Sequence, residues 1–262
     1  MILPEPQENN RDIAFITGAT AGIGRATAVL FAKHGWQVII VGRRAERLTE
    51  LKQELEEKYA VEVFPIQTDV RDYEAFGKSI EQLPEGWKNI RVLVNNAGLA
   101  MGRDAIQDAN VADWDTMIDT NIKGLLYVTH FIVPFLKARQ RGGHIINVGS
   151  IAGKEVYANG AVYCATKFAV DALSKGMRID LLTSGIKVTV VHPGLVETEF
   201  SVVRFKGDAD KAKVVYQGYQ PLLPEDVADA IYYAASRPHH VNIGEITLTP
   251  LAQASAHYLV KE

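Results

Sequence analysis

Three glycines within seven positions, at the end of a short apolar run, limit this chain more than any other feature. Ile13-Ala14-Phe15-Ile16 reads as a buried strand. It enters Thr17-Gly18-Ala19-Thr20-Ala21-Gly22-Ile23-Gly24, which opens into a small-residue helix from Gly24 to Lys33. Glycine lets a backbone turn tightly and approach a ligand closely. The unpaired N–H groups of the helix end that follows, with its dipole, favour a pyrophosphate. Gly18, Thr20, Ala21, Gly22, Ile23 and Gly24 are therefore candidate phosphate contacts. The spacing is Gly-x-x-x-Gly-x-Gly, not Gly-x-Gly-x-x-Gly. The turn takes its meaning from its place after the first strand of a β-α-β unit.

The rest of the chain repeats that unit. Apolar runs at Val38–Val41, Val61–Phe64, Val92–Val94, His144–Val148 and Val188–Val191, with a weaker one over Ile243–Leu248, alternate with amphipathic stretches. Continuous apolar runs indicate strands covered on both faces, as in a parallel sheet. Helices are expected over Arg44–Lys58, Val111–Arg139, Val162–Leu182 and from Pro224, with Pro134 bending or ending the second. The expected fold class is α/β, a Rossmann-type doubly wound parallel sheet of about seven strands. One domain spans residues 1–262, with a flexible N-terminal extension of about residues 1–10. A late irregular segment, about 193–223, is too long for an ordinary connection and reads as a substrate loop.

The second strand bears on which dinucleotide fits. An acid near its end holds the ribose hydroxyls in NAD sites, yet here the strand ends Gly42-Arg43-Arg44. Two guanidiniums suit a ribose 2′-phosphate, which they grip through paired charge-assisted bonds. Asp69, with Val70 beside it, follows the third strand and is a candidate partner for the adenine amine. Asn96, in Asn95-Asn96-Ala97-Gly98 at the end of the fourth strand, is a further candidate contact.

Tyr163-Cys164-Ala165-Thr166-Lys167 places a phenol and an ammonium on one helix face. A tyrosine pKa near 10 is too high for a good base at neutral pH. An ammonium about 4–5 Å away interacts by roughly 3–4 kcal/mol at an effective dielectric of about 20. That is enough to lower the phenol pKa by about two to three pH units. Ser150 ends a strand thirteen positions earlier, at the carboxyl edge of the sheet where ligands bind in such folds, and its hydroxyl is placed to hold a carbonyl oxygen. Asn121 falls inside an expected helix, where asparagine is mildly unfavourable.

Together the motifs resemble the short-chain dehydrogenase/reductase family. They are TGATAGIG at 17–24, NNAG at 95–98, Asn121, Ser150, YCATK at 163–167 and PGLVET at 193–198. The resemblance implies a tetrad in which Tyr163 exchanges a proton with the substrate oxygen. Lys167 lowers its pKa and binds the nicotinamide ribose, Ser150 orients the carbonyl, and Asn121 supports a proton relay. It also implies NADP as cofactor, with Pro193, Gly194, Val196 and Thr198 lining the nicotinamide and Tyr163 and Lys167 touching it. A narrower similarity, over PGLVETEFSVVRFKGD, LLPEDVADAI and the ending around Pro250 and Gln253, is to NADP-dependent 3-hydroxy acid dehydrogenases. That implies a small hydroxy acid or its semialdehyde as substrate, with a neutral-ketone carbonyl reductase as the alternative and a silent cofactor-binding regulator as the third. An acid substrate needs a cation, for which Arg204 or else Lys206 is the candidate. A homotetramer is implied, with Val111–Arg139 and Val162–Leu182 as contact faces.

Composition excludes other classes. With 28 basic and 31 acidic residues there is no surplus charge for a nucleic-acid backbone. No apolar run approaches the roughly 20 residues of a membrane span, and no secretory signal is visible at the start. Histidine spacing suggests no metal site. The single cysteine, Cys164, points to a reducing compartment, the cytoplasm.

Overall fold

The strands of the computed structural model, which describes residues 12–140 and 142–262, are β1 (Ile13–Thr17), β2 (Gln37–Gly42), β3 (Val63–Gln67), β4 (Ile90–Asn95), β5 (His144–Val148), β6 (Lys187–Pro193) and β7 (Glu245–Leu248). The N-terminal extension expected over residues 1–10 lies outside the described residues. The strands form one parallel sheet in the order β3-β2-β1-β4-β5-β6-β7. The chain starts at the centre, builds outward to β3, and returns to the other side of β1. The reversal leaves a crevice beyond the carboxyl ends of β1 and β4, where such sheets bind ligands.

Alternation within strands splits the core into two layers. Ala14, Ile16, Val38, Ile40, Val92 and Val94 face one side of the sheet. There they pack against α1 (Gly22–Lys33), α2 (Ala45–Tyr59) and α9 (Pro224–Ala235). Ile13, Phe15, Ile39, Val41 and Leu93 face the other, against α3 (Tyr73–Glu81) and α5 (Leu125–Ala138). Both faces are dry, which is why the strands read as unbroken apolar runs. Helix α2 shows the opposite composition: only Leu48, Leu51 and Leu55 are buried, a single stripe at helical spacing.

Three expectations needed correction. The third strand begins at Val63 rather than Val61. It lies at the sheet edge, the position that tolerates its Pro65. The stretch 111–139 is not one helix but α4 (Val111–Ile118), a π-helical segment (Asp119–Gly124) and α5, and Pro134 lies inside α5 without ending it. A proline forgoes one backbone bond, and the buried stripe Val128, Ile132 and Leu136 holds the helix on either side. The segment 193–223 is not irregular throughout. It contains α7 (Phe200–Arg204) and α8 (Ala209–Val215), the latter capped by Asp208, which accepts the Lys211 amide. The remaining helix, α6 (Ala161–Asp180), runs behind β5 and β6. Among the described residues no helix is long and apolar enough to cross a membrane.

Candidate active site

The glycine turn is fixed by main-chain contacts. Gly18 and Gly22 have φ of 66° and 50°, a region that disfavours side chains. A Cβ on Gly24 would collide with the Gly18 carbonyl, so only glycine lets α1 start this close to the turn. No side chain caps α1 and no acid occupies its first turn. Its leading amides therefore present positive partial charge to the crevice. Asn96 ties the turn to β4: its Nδ2 donates to the Thr17 carbonyl at 2.9 Å, while its backbone N–H and that of Ala97 donate to Thr17 Oγ1 at 3.0 Å.

At the end of β2 the arginines diverge. Arg43 is exposed, 3.8 Å from Asp69. Arg44 donates to Thr20 Oγ1 at 2.8 Å and to Glu199 at 3.0 Å, and Arg47 donates to the same carboxylate at 2.7 Å. Partial burial would raise the Glu199 carboxyl, but Arg47 and Arg44 outweigh it and hold it below the usual range. Asp69 accepts the Arg71 guanidinium on both oxygens, at 2.7 and 3.0 Å, so its carboxylate already has a cationic partner. Val70 is buried beside the π-helical segment, against Gly124.

Ser150 lies two residues past the end of β5 and opens a single 3-10 turn, Ile151–Gly153, where its Oγ accepts the Ala152 amide at 3.1 Å. Its side chain faces the Tyr163 hydroxyl and lowers the phenol pKa in part. Tyr163 and Lys167 lie one turn apart on α6, both buried. Lys167 Nζ donates to the Val148 carbonyl at 2.9 Å and stands 6.0 Å from the Tyr163 ring centre. Asn121 lies in the π-helical segment. Its amide donates to the Leu99 carbonyl at 2.8 Å and to Thr166 Oγ1 at 3.0 Å, and its Oδ1 accepts the Leu99 amide. These bonds supply the polar partners that an asparagine inside a helix needs.

The electrostatics correct one expectation. The spacing of Tyr163 and Lys167 predicts a lowered phenol pKa. In the structure burial raises it, with Tyr157 adding to the rise, and Ser150 and Arg204 only partly offset it. The buried Lys167 is itself lowered to about 8. Desolvation of a phenolate wins over an ammonium directed at a main-chain carbonyl.

The loop after β6 closes the cleft. Gly194 packs on Gln253, whose Oε1 accepts the Leu195 amide at 2.9 Å. Val196 bridges to Leu222, and Thr198 sits against Gly22. Arg204, at the end of α7, donates to the Tyr157 hydroxyl at 2.9 Å and the Gly102 carbonyl at 3.1 Å. Its guanidinium lies 5.7 Å from the Tyr163 ring centre. Lys206 is paired with Asp113 at 2.9 Å. Pro193, Gly194, Val196 and Thr198, the turn residues Gly18 and Thr20 to Ile23, Arg43, Arg44, Ser150, Tyr163 and Arg204 all border one cleft of about 1150 Å³, whereas Gly24 and Asn121 do not line it. Tyr157, Arg47 and Glu199 were not singled out from sequence. Arg47 had a signal, a basic residue one turn beyond Arg44; the other two had none.

The donor set fits a dinucleotide that carries a ribose phosphate: an uncapped helix N-terminus, turn positions where a side chain would intrude, and guanidiniums at the end of β2. A family model described as short chain dehydrogenase matches residues 12–208. Sulfoacetaldehyde reductase 2 of Chromohalobacter salexigens is 46% identical over 249 residues, covering 95% of this chain and 98% of that protein. An NADP-dependent 3-hydroxy acid dehydrogenase of Escherichia coli K12 is 47% identical over 245 residues, covering 93% and 97%. The closed form of serine dehydrogenase complexed with NADP⁺ superimposes with a TM-score of 0.88 at 45% identity, covering 95% and 99%.

Proposed function

The chain belongs to the short-chain dehydrogenase family, and we propose that it catalyses reversible hydride transfer between NADP(H) and a small 3-hydroxy acid or its semialdehyde. It is an oxidoreductase acting on CH–OH groups, and its cofactor is NADP. One observation carries the substrate reading: the Arg204 guanidinium stands in the cleft beside the Tyr163 ring, held by Tyr157 and the Gly102 carbonyl. A carboxylate or sulfonate bound there would bring the oxygen-bearing carbon, two bonds from the acid group's own carbon or sulfur, to the phenol.

The residues divide the work by their chemistry. The first-turn amides of α1, with Gly18, Thr20, Ala21, Gly22 and Ile23, hold the pyrophosphate, and Arg43 and Arg44 hold the 2′-phosphate. Asp69, Val70 and Asn96 border the adenosine half; Pro193, Gly194, Val196 and Thr198 border the nicotinamide half. When bound, the nicotinamide supplies or takes up the hydride. Tyr163 gives its hydroxyl proton to the substrate oxygen in reduction and accepts one in oxidation. Ser150 donates to the same oxygen and fixes its position. Lys167 sets a positive charge behind the phenol and reaches the nicotinamide ribose. Asn121, bonded to the Leu99 main chain and to Thr166, supports the proton path from inside the fold.

We also place the enzyme in the cytoplasm as a homotetramer. Exposed apolar side chains on α4, α5 and α6 support the assembly: Ile118 on α4, Leu126 on α5, Phe168 and Ile179 on α6. The decisive assay is initial-rate NADP⁺ reduction with L-serine, L-allo-threonine, 3-hydroxypropionate and one neutral secondary alcohol. Turnover of the acids alone is expected. Turnover of the neutral alcohol alone overturns the acid reading.

A further inference from the structure

Behind Ser150 lies a charged cluster that the chemistry above does not use. His192, in β6 just before Pro193, is fully buried, and its Nδ1 lies 3.0 Å from the Ser150 carbonyl oxygen. A carbonyl oxygen only accepts, so Nδ1 carries the proton and donates. The ring comes this close because residue 149 is glycine: a Cβ there would lie 2.7 Å from Nδ1. The same carbonyl accepts the Gly153 amide at 2.8 Å, which uses both its lone pairs.

The other ring nitrogen is the informative one. In the neutral ring Nε2 is a bare acceptor, buried without a hydrogen-bond partner. It faces two carboxylates, Asp171 Oδ1 at 3.4 Å from α6 and Glu245 Oε1 at 4.0 Å from β7. Alone, that pair would draw a second proton onto the ring. Lys154, just past the Ser150 turn, spans both acids, with Nζ 2.9 Å from Asp171 and 2.8 Å from Glu245. Lys175 takes the second Asp171 oxygen at 2.7 Å. Burial, with Lys154 behind it, outweighs the carbonyl bond and the two acids, so the imidazole pKa is held below its ordinary value. Helix α6 carries Tyr163, Lys167, Asp171 and Lys175 at four-residue intervals. One face thus joins the reacting phenol to the carboxylate behind His192.

We propose that His192 is a positioning residue for Ser150: its neutral Nδ1–H ring pins the Ser150 peptide to the end of β6, and Lys154, Asp171 and Glu245 form the charge set that keeps the ring in that form. The proposal rests on Ser150 acting at the substrate oxygen. It places no catalytic contact on His192. The three potential ligand atoms lie within 4.8 Å of one another, but the Lys154 ammonium already pairs with both carboxylates.

Two measurements on the full chain test it. Long-range ¹H–¹⁵N NMR of the imidazole is expected to show the Nδ1–H tautomer at neutral pH, with any titration below the ordinary imidazole range. Lys154→Met raises the His192 pKa and Asp171→Asn lowers it further. An Nε2–H tautomer, or stoichiometric Zn²⁺ shifting the His192 signals, overturns the proposal. In kinetics, His192→Leu lowers kcat roughly ten- to a hundredfold, with KM for NADP⁺ changed less than about twofold. His192→Asn, whose amide N–H can replace Nδ1–H, recovers at least about a third of wild-type kcat. A Leu variant with wild-type kcat, or Asn and Leu variants equally impaired at wild-type melting temperature, sinks the idea. If the Leu variant fails to fold, the tautomer and the Asn variant decide. Should the wild type oxidise no hydroxy acid while the tautomer stands as expected, the substrate reading has failed and the positioning contact has not.

Discussion

The two ends of the cleft are held by different kinds of bond. At the phosphate end, left-handed Gly18 and Gly22, the close start of α1, and the contacts of Asn96 with Thr17 all involve main chain. At the substrate end, side chains far apart in sequence do the holding, Arg204 on Tyr157 and Lys206 on Asp113, and Glu199 ties the same loop back to Arg44 and Arg47 at the phosphate end. Backbone geometry has no cheap alternative state, whereas exposed ion pairs contribute about 0.2–1 kcal/mol each and exchange readily. The first end is a preformed cradle. The second can rearrange around a ligand.

Tyr163 stands where the two ends meet, and its loss carries the largest expected effect. Tyr163→Phe should lower kcat by about 10²- to 10⁴-fold, while NADPH affinity, read by nicotinamide fluorescence, stays within about threefold. Parallel loss of NADPH binding would instead assign the phenol to the cradle. The raised phenol pKa fixes the sign of the pH dependence. In the proposed mechanism oxidation needs Tyr163 to accept a proton, so its rate should climb from neutral toward alkaline pH. Reduction would need the protonated phenol and should stay flat from about pH 6 to 7, below the range in which Lys167 loses its proton. An oxidation rate independent of pH would remove Tyr163 as the titrating base.

The next two changes separate the ends directly. Replacing Arg43 and Arg44 together by alanine removes two charge-assisted contacts to a phosphate. NADPH affinity should fall roughly ten- to a hundredfold with little change for NADH. Equal loss for both would mean that these arginines hold the turn rather than the phosphate. Arg204→Ala should raise KM for the acids by roughly ten- to thirtyfold. A neutral alcohol, with no charge to lose, should change by less than about threefold. If KM for NADP⁺ rises as well, the ends are coupled through the loop after β6.

The same contrast explains what was legible in sequence. The sheet was readable because each strand is buried on both faces, so its residues had to be apolar. The turn at 17–24 was readable because a left-handed backbone and a collision at Gly24 leave glycine as the residue that fits. Asn121 stands out as a polar residue in a helical pattern, but neither the π-helical segment around it nor its Leu99 and Thr166 partners is visible in the sequence. Tyr157 and Glu199 left no trace: their significance comes from Arg204, 47 residues away, and Arg44, 155 residues away. The tyrosine pKa went the wrong way for a related reason. Helical spacing fixes the distance to Lys167, but not the desolvation that dominates it.

Glu199 offers the smallest and most discriminating test. Its carboxylate sits on Arg44 and Arg47, in the chemistry a 2′-phosphate would use, and it belongs to the segment that carries Thr198 and Arg204. An incoming phosphate must therefore share Arg44 with Glu199 or displace it. All three side chains are close to half exposed, so solvent screens the pairing and each contact contributes less than about 1 kcal/mol. Glu199→Gln keeps the shape and removes the charge. It should tighten NADP⁺ about two- to fivefold and leave NAD⁺ unchanged. The gain should shrink with added salt, as an interaction between solvent-exposed charges does. Tightening of both cofactors alike would mean that Glu199 restrains the loop itself. Weakening of NADP⁺ would mean that Glu199 organises the arginines for the phosphate, and the substrate end would then be part of the cradle.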